Sequence, residues 1–351
     1  MRDGYAGVEH GPDDRSAVAE WVDWEQTLAL RARLDQARLG IAEAMDTAQR
    51  YEIGWDLARE LIERTSVLAP ENGFVAGAGV DHASVADAPS LADAWSEQVR
   101  LIEGAGGVPV LLCIPQLLEL ARDEDAFVQT YGRVIDACHG PVLIHWLGSM
   151  FHPGLAGYFP GNSFERVMAW DRAKVRGCKL SLLDAGIERR VRAELAPHGQ
   201  AVLTGDDHHF ADLIVGDDQE VRGEVELLGR TWPLGHFSHA LLGALEGLHA
   251  PMPGILEDLR HGRLEEARLA LRRCEAFGQV VFEAPTPAYK AGLAFRAWAN
   301  GEQSNPMLPF HAERARSKEH LTRVAQAARE AGGLTGPEAA ERLGQVGIHL
   351  T

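Results

Sequence analysis

The sequence predicts an α/β protein, a (β/α)8 TIM barrel with a C-terminal helical extension. Continuously apolar segments alternate repeatedly with amphipathic helical segments, as is typical of parallel strands buried on both faces. Polar residues collect directly after the apolar segments, where the active site of a barrel is built. A doubly wound open sheet is the alternative, but no G-x-G-x-x-G pattern follows a first strand.

The order of the predicted elements divides the chain into two parts. Residues 1–250 are expected to form the barrel, after a polar arm with a candidate strand at Tyr5–Val8, and residues 251–351 to form helices that pack on it. Asp23 is expected to cap the first helix, and Gly216–Trp232 to be an inserted acidic surface loop. The predicted strands are Leu39–Met45, Gly73–Gly79, Val108–Ile114, Pro141–Leu147, the segment Val175–Asp184, Ala201–Gly205 and Phe237–Leu242. The later predicted helices are Trp55–Thr65, 90–105, Asp123–Cys138, Ser163–Lys174, Glu188–Leu195, Leu259–Ala276, Thr286–Ala299, Ala315–Ala331 and Pro337–Leu343.

The composition argues against several classes of partner. The 351 residues carry a formal net charge of −17 and a pI near 5.3, which disfavours binding to nucleic acid or to an anionic membrane. The four cysteines are scattered without a C-x-x-C pattern, so neither a disulfide framework nor a zinc site is indicated. The N-terminus lacks an apolar signal segment, and no apolar stretch approaches membrane-spanning length. We therefore expect a cytoplasmic protein.

One lysine stands in the middle of an apolar predicted strand. The chain has only four lysines, and Lys179 is the one surrounded by the apolar residues of Val175–Asp184. Lysine is costly to bury without a partner, so this amine is either half of a buried ion pair or a functional group. Burial in general lowers the pKa of a lysine and makes its amine a nucleophile toward carbonyl carbons.

Three segments together resemble the dihydrodipicolinate synthase/N-acetylneuraminate lyase superfamily of Schiff-base aldolases and lyases. The segments are Gly177-Cys-Lys179, Leu203-Thr-Gly-Asp-Asp207 and, more weakly, Ala284-Pro-Thr-Pro-Ala-Tyr-Lys290. The resemblance covers roughly residues 22–330 and implies a barrel with C-terminal helices. It also implies that Lys179 forms the imine without a cofactor or metal, and that the chain assembles as a homodimer or homotetramer.

The chain departs from the superfamily pattern at three loops. Met45-Asp-Thr-Ala-Gln49 stands where the superfamily has a Gly-Thr-Thr-Gly-Glu-like loop that binds a keto-acid carboxylate. His145 stands where a proton-relaying tyrosine is usual, and Pro115-Gln116 where a tyrosine pair is usual. The residues for carboxylate recognition and for proton relay therefore both differ from the superfamily pattern in this divergent branch. Pyruvate cannot be assumed as the substrate.

Lys179 and His145 are the candidate catalytic residues. Histidine titrates near neutral pH and suits acid/base chemistry beside an imine, although a core histidine bonded to backbone is the structural alternative. Residues at the ends of adjacent barrel strands can reach one substrate. The candidate substrate-binding residues are Glu43, Asp46, Thr47, Asp81, Gln116, Trp146, Thr204, Asp206, Asp207 and His208.

Several of these candidates have a structural alternative. Glu43, Met45 and Thr47 would share one face of a strand by alternation, and Glu43 could equally make a buried structural hydrogen bond. Asp206 and Asp207 could orient hydroxyl groups, or one of them could cap a helix. Trp146 could cover the pocket with two aromatic residues of the following loop, or could simply pack.

The resulting functional hypothesis is a lyase, aldolase or dehydratase that acts on a small carbonyl or polyhydroxylated keto substrate through Lys179. The first alternative is a divalent-metal barrel isomerase or hydrolase that uses Glu43, Asp206, His208 and His145. The second alternative is a non-catalytic barrel that binds a sugar-like ligand, because a fold does not determine a function.

Overall fold

The computed structural model describes residues 15–47 and 49–350, which form two compact units. The sheet unit comprises Gly40–Asp206 and Asp212–Leu241. The helical unit comprises the described residues up to Leu39, Asp207–Ala211, and the described residues from Leu242 onward. The candidate strand at Tyr5–Val8 lies outside the described residues.

The sheet unit is built on seven parallel strands in the order β1-β2-β3-β4-β5-β6-β9. An additional antiparallel pair, β7 and β8, forms a separate hairpin. The strands are β1 (Ile41–Glu43), β2 (Phe74–Ala78), β3 (Val108–Leu111), β4 (Val142–Leu147), β5 (Val175–Ser181), β6 (Ala201–Thr204), β7 (Gly223–Leu227), β8 (Arg230–Leu234) and β9 (His239–Ala240). Every residue of β2, β3 and β6 is buried, as the continuously apolar segments predicted.

Helices follow most of the parallel strands, and a series of helices completes the chain. They are α1 (Trp24–Gln36), α2 (Arg50–Ile53), α3 (Trp55–Leu68), α4 (Ala88–Gly104), α5 (Pro115–Leu120), α6 (Glu124–Ala137), α7 (Ser163–Met168), α8 (Ala185–Leu195), α9 (Phe210–Val215), α10 (Met252–Arg260), α11 (Leu264–Val281), α12 (Tyr289–Ala299), α13 (Lys318–Glu330) and α14 (Ala339–Gln345). Short 3-10 helices lie at Arg15–Trp21, Pro153–Leu155, Ala196–His198, Gly243–Leu248, Thr286–Ala288 and Pro309–Ala315. The fold is thus the expected barrel-type α/β fold with a C-terminal helical part.

Aspartate side chains begin several helices. The prediction for Asp23 is confirmed, because its carboxylate accepts a hydrogen bond of 3.0 Å from the Gln26 amide at the start of α1. Asp184 caps α8 by accepting from the amides of Gly186 and Ile187, each at 2.9 Å. A capping residue satisfies amides that have no partner within the helix. Asp184 therefore stabilises the start of α8, just after the turn that follows β5.

Several predicted boundaries were wrong for local backbone reasons. Strand β1 stops at Glu43 because Ala44 adopts a left-handed φ of 48°. The predicted helix Leu259–Ala276 is replaced by α10 and α11, with Gly262 at a φ of 69° between them. The predicted helix Ser163–Lys174 also ends early, at Met168, although the residue that follows it, Ala169, is right-handed. A left-handed residue ends a regular strand or helix, and the sequence marks such a residue clearly only at glycine.

The predicted surface loop Gly216–Trp232 was also wrong in part, because it contains most of the β7–β8 hairpin. Leu228 and Gly229 connect the two strands and have φ values of 52° and 68°. Two consecutive residues with positive φ form the type of turn that matches the twist of a tight hairpin. The Leu228 side chain lies against Gly73, which precedes β2.

No helix within residues 15–47 and 49–350 is both long enough and apolar enough to cross a membrane. The longest, α11, has 18 residues but carries charged residues along its length.

Replacing Gly177 by alanine is expected to destabilise the sheet unit. A Cβ atom at Gly177 on β5 would lie only 2.3 Å from the backbone oxygen of Ala201 on β6, and backbone cannot move aside cheaply. Overpacking of this kind costs about 1–3 kcal/mol of unfolding free energy, which urea denaturation would measure. Gly104→Ala at the end of α4 is the control, because its Cβ would meet no atom within 4 Å. Equal unfolding midpoints for wild type and Gly177→Ala would contradict the prediction.

Candidate active site

His145 and Lys179 lie side by side on neighbouring strands. They are direct partners in the register of β4 and β5, so their side chains project from the same face of the sheet. Both are buried, with 0% of His145 and 5% of Lys179 exposed. The structure therefore brings together the two residues that the sequence proposed as catalytic.

His145 is held between an aspartate and a serine. Its Nδ1 atom lies 3.1 Å and 3.2 Å from the two carboxylate oxygens of Asp46, in the turn after β1. Its Nε2 atom lies 3.1 Å from the Oγ atom of Ser181, two residues beyond Lys179 on β5. With Asp46 ionised, Nδ1 carries the proton, and Nε2 accepts a hydrogen bond from the serine hydroxyl. The three side chains thus form a continuous Asp46–His145–Ser181 hydrogen-bond chain beside Lys179.

A glycine allows Lys179 and Ser181 to approach the end of β6. A Cβ atom at Gly205 would lie 2.2 Å from Ser181 Oγ and 2.9 Å from Lys179 Cε. The Gly205 amide also donates to the backbone oxygen of Leu180 at 2.7 Å. Any larger residue would displace one of the two side chains. The glycine of the Thr-Gly-Asp-Asp segment therefore leaves the space that the side chains of Lys179 and Ser181 occupy.

The charges of this cluster follow from burial and from neighbouring groups. Burial alone would raise the pKa of Asp46, but its contact with His145 and the charges of Lys179 and Arg50 hold that pKa below 3.8. Burial, assisted by the charge of Lys179 and opposed by Asp46, lowers the pKa of His145 below 6.5. At neutral pH the cluster therefore contains an aspartate anion and a neutral histidine that can accept a proton.

The turn that carries Asp46 is anchored by a buried arginine. Arg50 is 1% exposed and donates to the backbone oxygens of Ala44 and Gly77, each at 2.6 Å. It also forms a bidentate pair with Asp81, at 2.8 and 3.1 Å, and donates to Gln98 at 2.5 Å. Burial would raise the pKa of Asp81, but the hydrogen bonds from Arg50 lower it, so Asp81 serves here as the partner of Arg50.

Three predicted substrate-binding residues lie away from the face that carries Lys179. Glu43 accepts a 2.7 Å hydrogen bond from Thr65 on α3, so the alternation expected through Met45 and Thr47 is broken by the left-handed Ala44. Thr204 pairs with Leu180 in the sheet and therefore projects from the face opposite Lys179. Trp146 also pairs with Leu180, and it packs against the rings of two phenylalanines, Phe159 and Phe164.

The remaining candidates lie outside the strands. Thr47 adjoins Asp46 in the turn after β1, Gln116 is exposed in the first turn of α5, and Asp206 is buried directly after β6. Asp207 and His208 belong to the helical unit. There the Asp207 carboxylate accepts from the Ala244 amide at 2.9 Å, and the His208 carbonyl oxygen accepts from Gln279 at 2.8 Å. Substrate contact by these five residues remains a prediction.

Two residues of the cluster were not named from the sequence. Ser181 is two positions after Lys179, so strand alternation was a sufficient signal for its place on the same face. Arg50 carried no such signal, because its partners Asp81 and Gln98 are distant in sequence.

The proposed metal ligands are not assembled as ligands. Within residues 15–47 and 49–350, no group of three or more histidine, cysteine, aspartate or glutamate residues is placed to hold a metal ion. Both ring nitrogens of His145 are engaged, and Glu43 faces α3. The described geometry therefore gives the metal hypothesis no support.

The parallel sheet with its helical C-terminal part has the same fold as several solved dihydrodipicolinate synthase and sialic acid aldolase structures. A candidate dihydrodipicolinate synthetase from Pseudomonas aeruginosa superposes with a TM-score of 0.67 at 14% sequence identity, covering 93% of this chain and 100% of that one. Dihydrodipicolinate synthase from Agrobacterium tumefaciens gives 0.62 at 17% identity, covering 92% and 95%. Sialic acid aldolase from Ruminococcus gnavus gives 0.59 at 16% identity, covering 88% and 90%.

A family model also matches the sequence over most of its length. The model of the family described as "protein of unknown function (DUF993)" matches residues 8–348, and the chain belongs to that family. No curated protein matches the sequence.

Proposed function

We propose that this protein is a lyase of the aldolase type that forms an imine between Lys179 and a small carbonyl compound, with His145 as the acid/base. The observation that carries the proposal is the register of β4 and β5, which places the buried amine of Lys179 beside a histidine held by Asp46 and Ser181. The similarity to solved aldolase and synthase structures supports the same chemistry at the level of fold.

The proposed reaction begins when the Lys179 ammonium group loses one proton and its amine attacks the carbonyl carbon. A C–N bond forms, the nitrogen loses a second proton, and the carbonyl oxygen takes up both protons and leaves as water. The resulting protonated imine withdraws electrons from the neighbouring carbon, so that a proton or a carbon–carbon bond at that carbon can be released. The released proton passes to Nε2 of His145, directly or through the Ser181 hydroxyl, and Asp46 stabilises the imidazolium that forms.

Borohydride trapping tests the imine. Incubation with hydroxyacetone or glyceraldehyde together with sodium borohydride is expected to reduce the imine to a stable secondary amine, which intact-mass spectrometry detects and peptide mapping locates at Lys179. Lys179→Arg retains the charge but cannot form this adduct and is expected to show none.

Lys174→Arg is the matched control. Lys174 immediately precedes β5, and its amine donates to the backbone oxygens of Ile135 and Asp136. This variant should therefore be trapped as wild type is. An adduct that persists in Lys179→Arg, or one confined to other lysines, would contradict the proposed function.

The Asp46–His145–Ser181 chain also favours one second candidate. The same order of carboxylate, imidazole and hydroxyl activates a serine for acyl transfer, so an esterase-like hydrolase would use Ser181 as the nucleophile. A fluorophosphonate probe distinguishes the two functions: labelling of Ser181 without any carbonyl adduct at Lys179 would favour the hydrolase.

A further inference from the structure

We infer that the substrate forms its imine through an uncharged aldehyde or ketone, and that the site rejects α-keto acids such as pyruvate. The inference rests on the proposed imine function and names its substrate class. Its basis is the position of Asp46, an acidic side chain in contact with the histidine that lies beside Lys179.

Asp46 is buried inside the site. Its side chain is 2% exposed, and its carboxylate oxygens lie 3.1 and 3.2 Å from Nδ1 of His145. The pKa of Asp46 is lowered, as described above, so it remains an anion at neutral pH. A carboxylate on the imine carbon would lie within a few bond lengths of the Lys179 nitrogen, and thus in the same buried region as the anion of Asp46.

The arginine of this region cannot readily balance a second anion. The Arg50 guanidinium already binds Asp81, Gln98 and two backbone oxygens, and it is 1% exposed. Turning it toward a ligand would leave Asp81 and the turn after β1 without these bonds. Breaking a buried charge pair in this way is strongly unfavourable.

Among the groups described above, the formal charges balance for an uncharged carbonyl compound and not for an anionic one. The imine of Lys179 carries one positive charge, Asp46 carries one negative charge, His145 is neutral, and Arg50 is matched by Asp81. An α-keto acid would add one uncompensated negative charge to this buried cluster. Like charges that are close together in a buried site disfavour ionisation or binding strongly. Hydroxyl groups on the substrate would not disturb this balance.

The test compares pyruvate with its methyl ester, which has the same carbon skeleton without the charge, and with hydroxyacetone. Each compound is titrated against wild type in the presence of borohydride, and the rate of adduct formation at Lys179 is measured by peptide mass spectrometry. Each rate is divided by the rate for a model amine, so that the greater reactivity of the ester is removed. The corrected rate for pyruvate is expected to be roughly 100-fold or more below that for the ester, because the anion should bind the site more weakly by about that factor.

The same measurement is made on the Asp46→Asn variant, because asparagine removes the charge of the side chain and retains most of its shape. It is expected to raise the pyruvate-to-ester ratio by at least tenfold, whereas Asp56→Asn, whose side chain is 95% exposed on α3, should leave the ratio unchanged. Corrected rates for pyruvate and ester that are equal in wild type would overturn the inference even if Asp46→Asn fails to fold. An unchanged ratio in a folded Asp46→Asn would also overturn it. Absence of an adduct with every compound would instead contradict the imine function, and this inference with it.

Discussion

His145→Asn is expected to leave imine formation at Lys179 intact and to slow proton exchange at the neighbouring carbon by roughly 100- to 10,000-fold. Asparagine can retain a contact with Asp46, but it has no basic nitrogen that could accept the proton which His145 Nε2 receives in the proposed reaction. In this variant imine formation should therefore proceed while proton exchange is slow, since the Lys179 amine is unaltered.

The measurement is exchange of the α-protons of a trappable ketone, such as hydroxyacetone, with deuterated solvent by NMR, alongside borohydride trapping. In wild type the fall in rate at low pH should be centred below the pKa of a free histidine, because burial lowers the pKa of His145. His198→Asn, an exposed histidine beyond α8, is the control and should match wild type. Unaltered exchange in a His145→Asn protein that still forms the adduct would assign the proton transfer to another group.

Glu188→Gln is expected to stabilise the protein at pH 8 by roughly 3 kcal/mol relative to its effect at pH 4.5. Glu188 on α8 is 2% exposed, and burial, with a smaller contribution from Asp206, raises its pKa from 4.5 to about 7. The folded state therefore binds the proton more tightly than the unfolded state does. The stabilisation from this proton is complete below pH 4.5 and is lost as the pH rises through 7, because the buried carboxylate must then ionise. Glutamine mimics the protonated form at every pH.

Urea unfolding at a series of pH values from 4.5 to 8 would measure this dependence. The difference in unfolding free energy between Glu188→Gln and wild type should grow across the range and level above pH 7. Glu194→Gln on the same helix is the control, because Glu194 is exposed and its substitution should shift all values little. A difference that does not vary with pH would show that Glu188 does not titrate in this range in the folded protein.

Local sequence was sufficient for the strands that position the candidate catalytic pair. Apolar segments around His145 and Lys179 predicted β4 and β5, and the predicted helix Glu188–Leu195 forms most of α8. Such features depend on neighbouring residues only: strand alternation, burial preference and helix capping. The same alternation would have placed Ser181 beside Lys179.

Local sequence failed where one backbone angle or a distant partner decided the outcome. The alternation from Glu43 to Thr47 was wrong because Ala44, which gives no signal for a left-handed conformation, turns the chain. The face occupied by Thr204 follows from its pairing with Leu180, which requires the register between two strands.

By itself, the sequence determined the class of fold, the burial of Lys179 and the nearness of His145, because apolar periodicity is a local property of the chain and consecutive strands of the expected barrel lie side by side. Only the tertiary structure decided that Asp46 contacts His145 across 99 residues of sequence and that Arg50 is committed to Asp81. A turn and a strand that are remote in sequence meet only when the whole sheet is assembled. Their contact determines the charge beside the amine, and therefore the substrate that we propose.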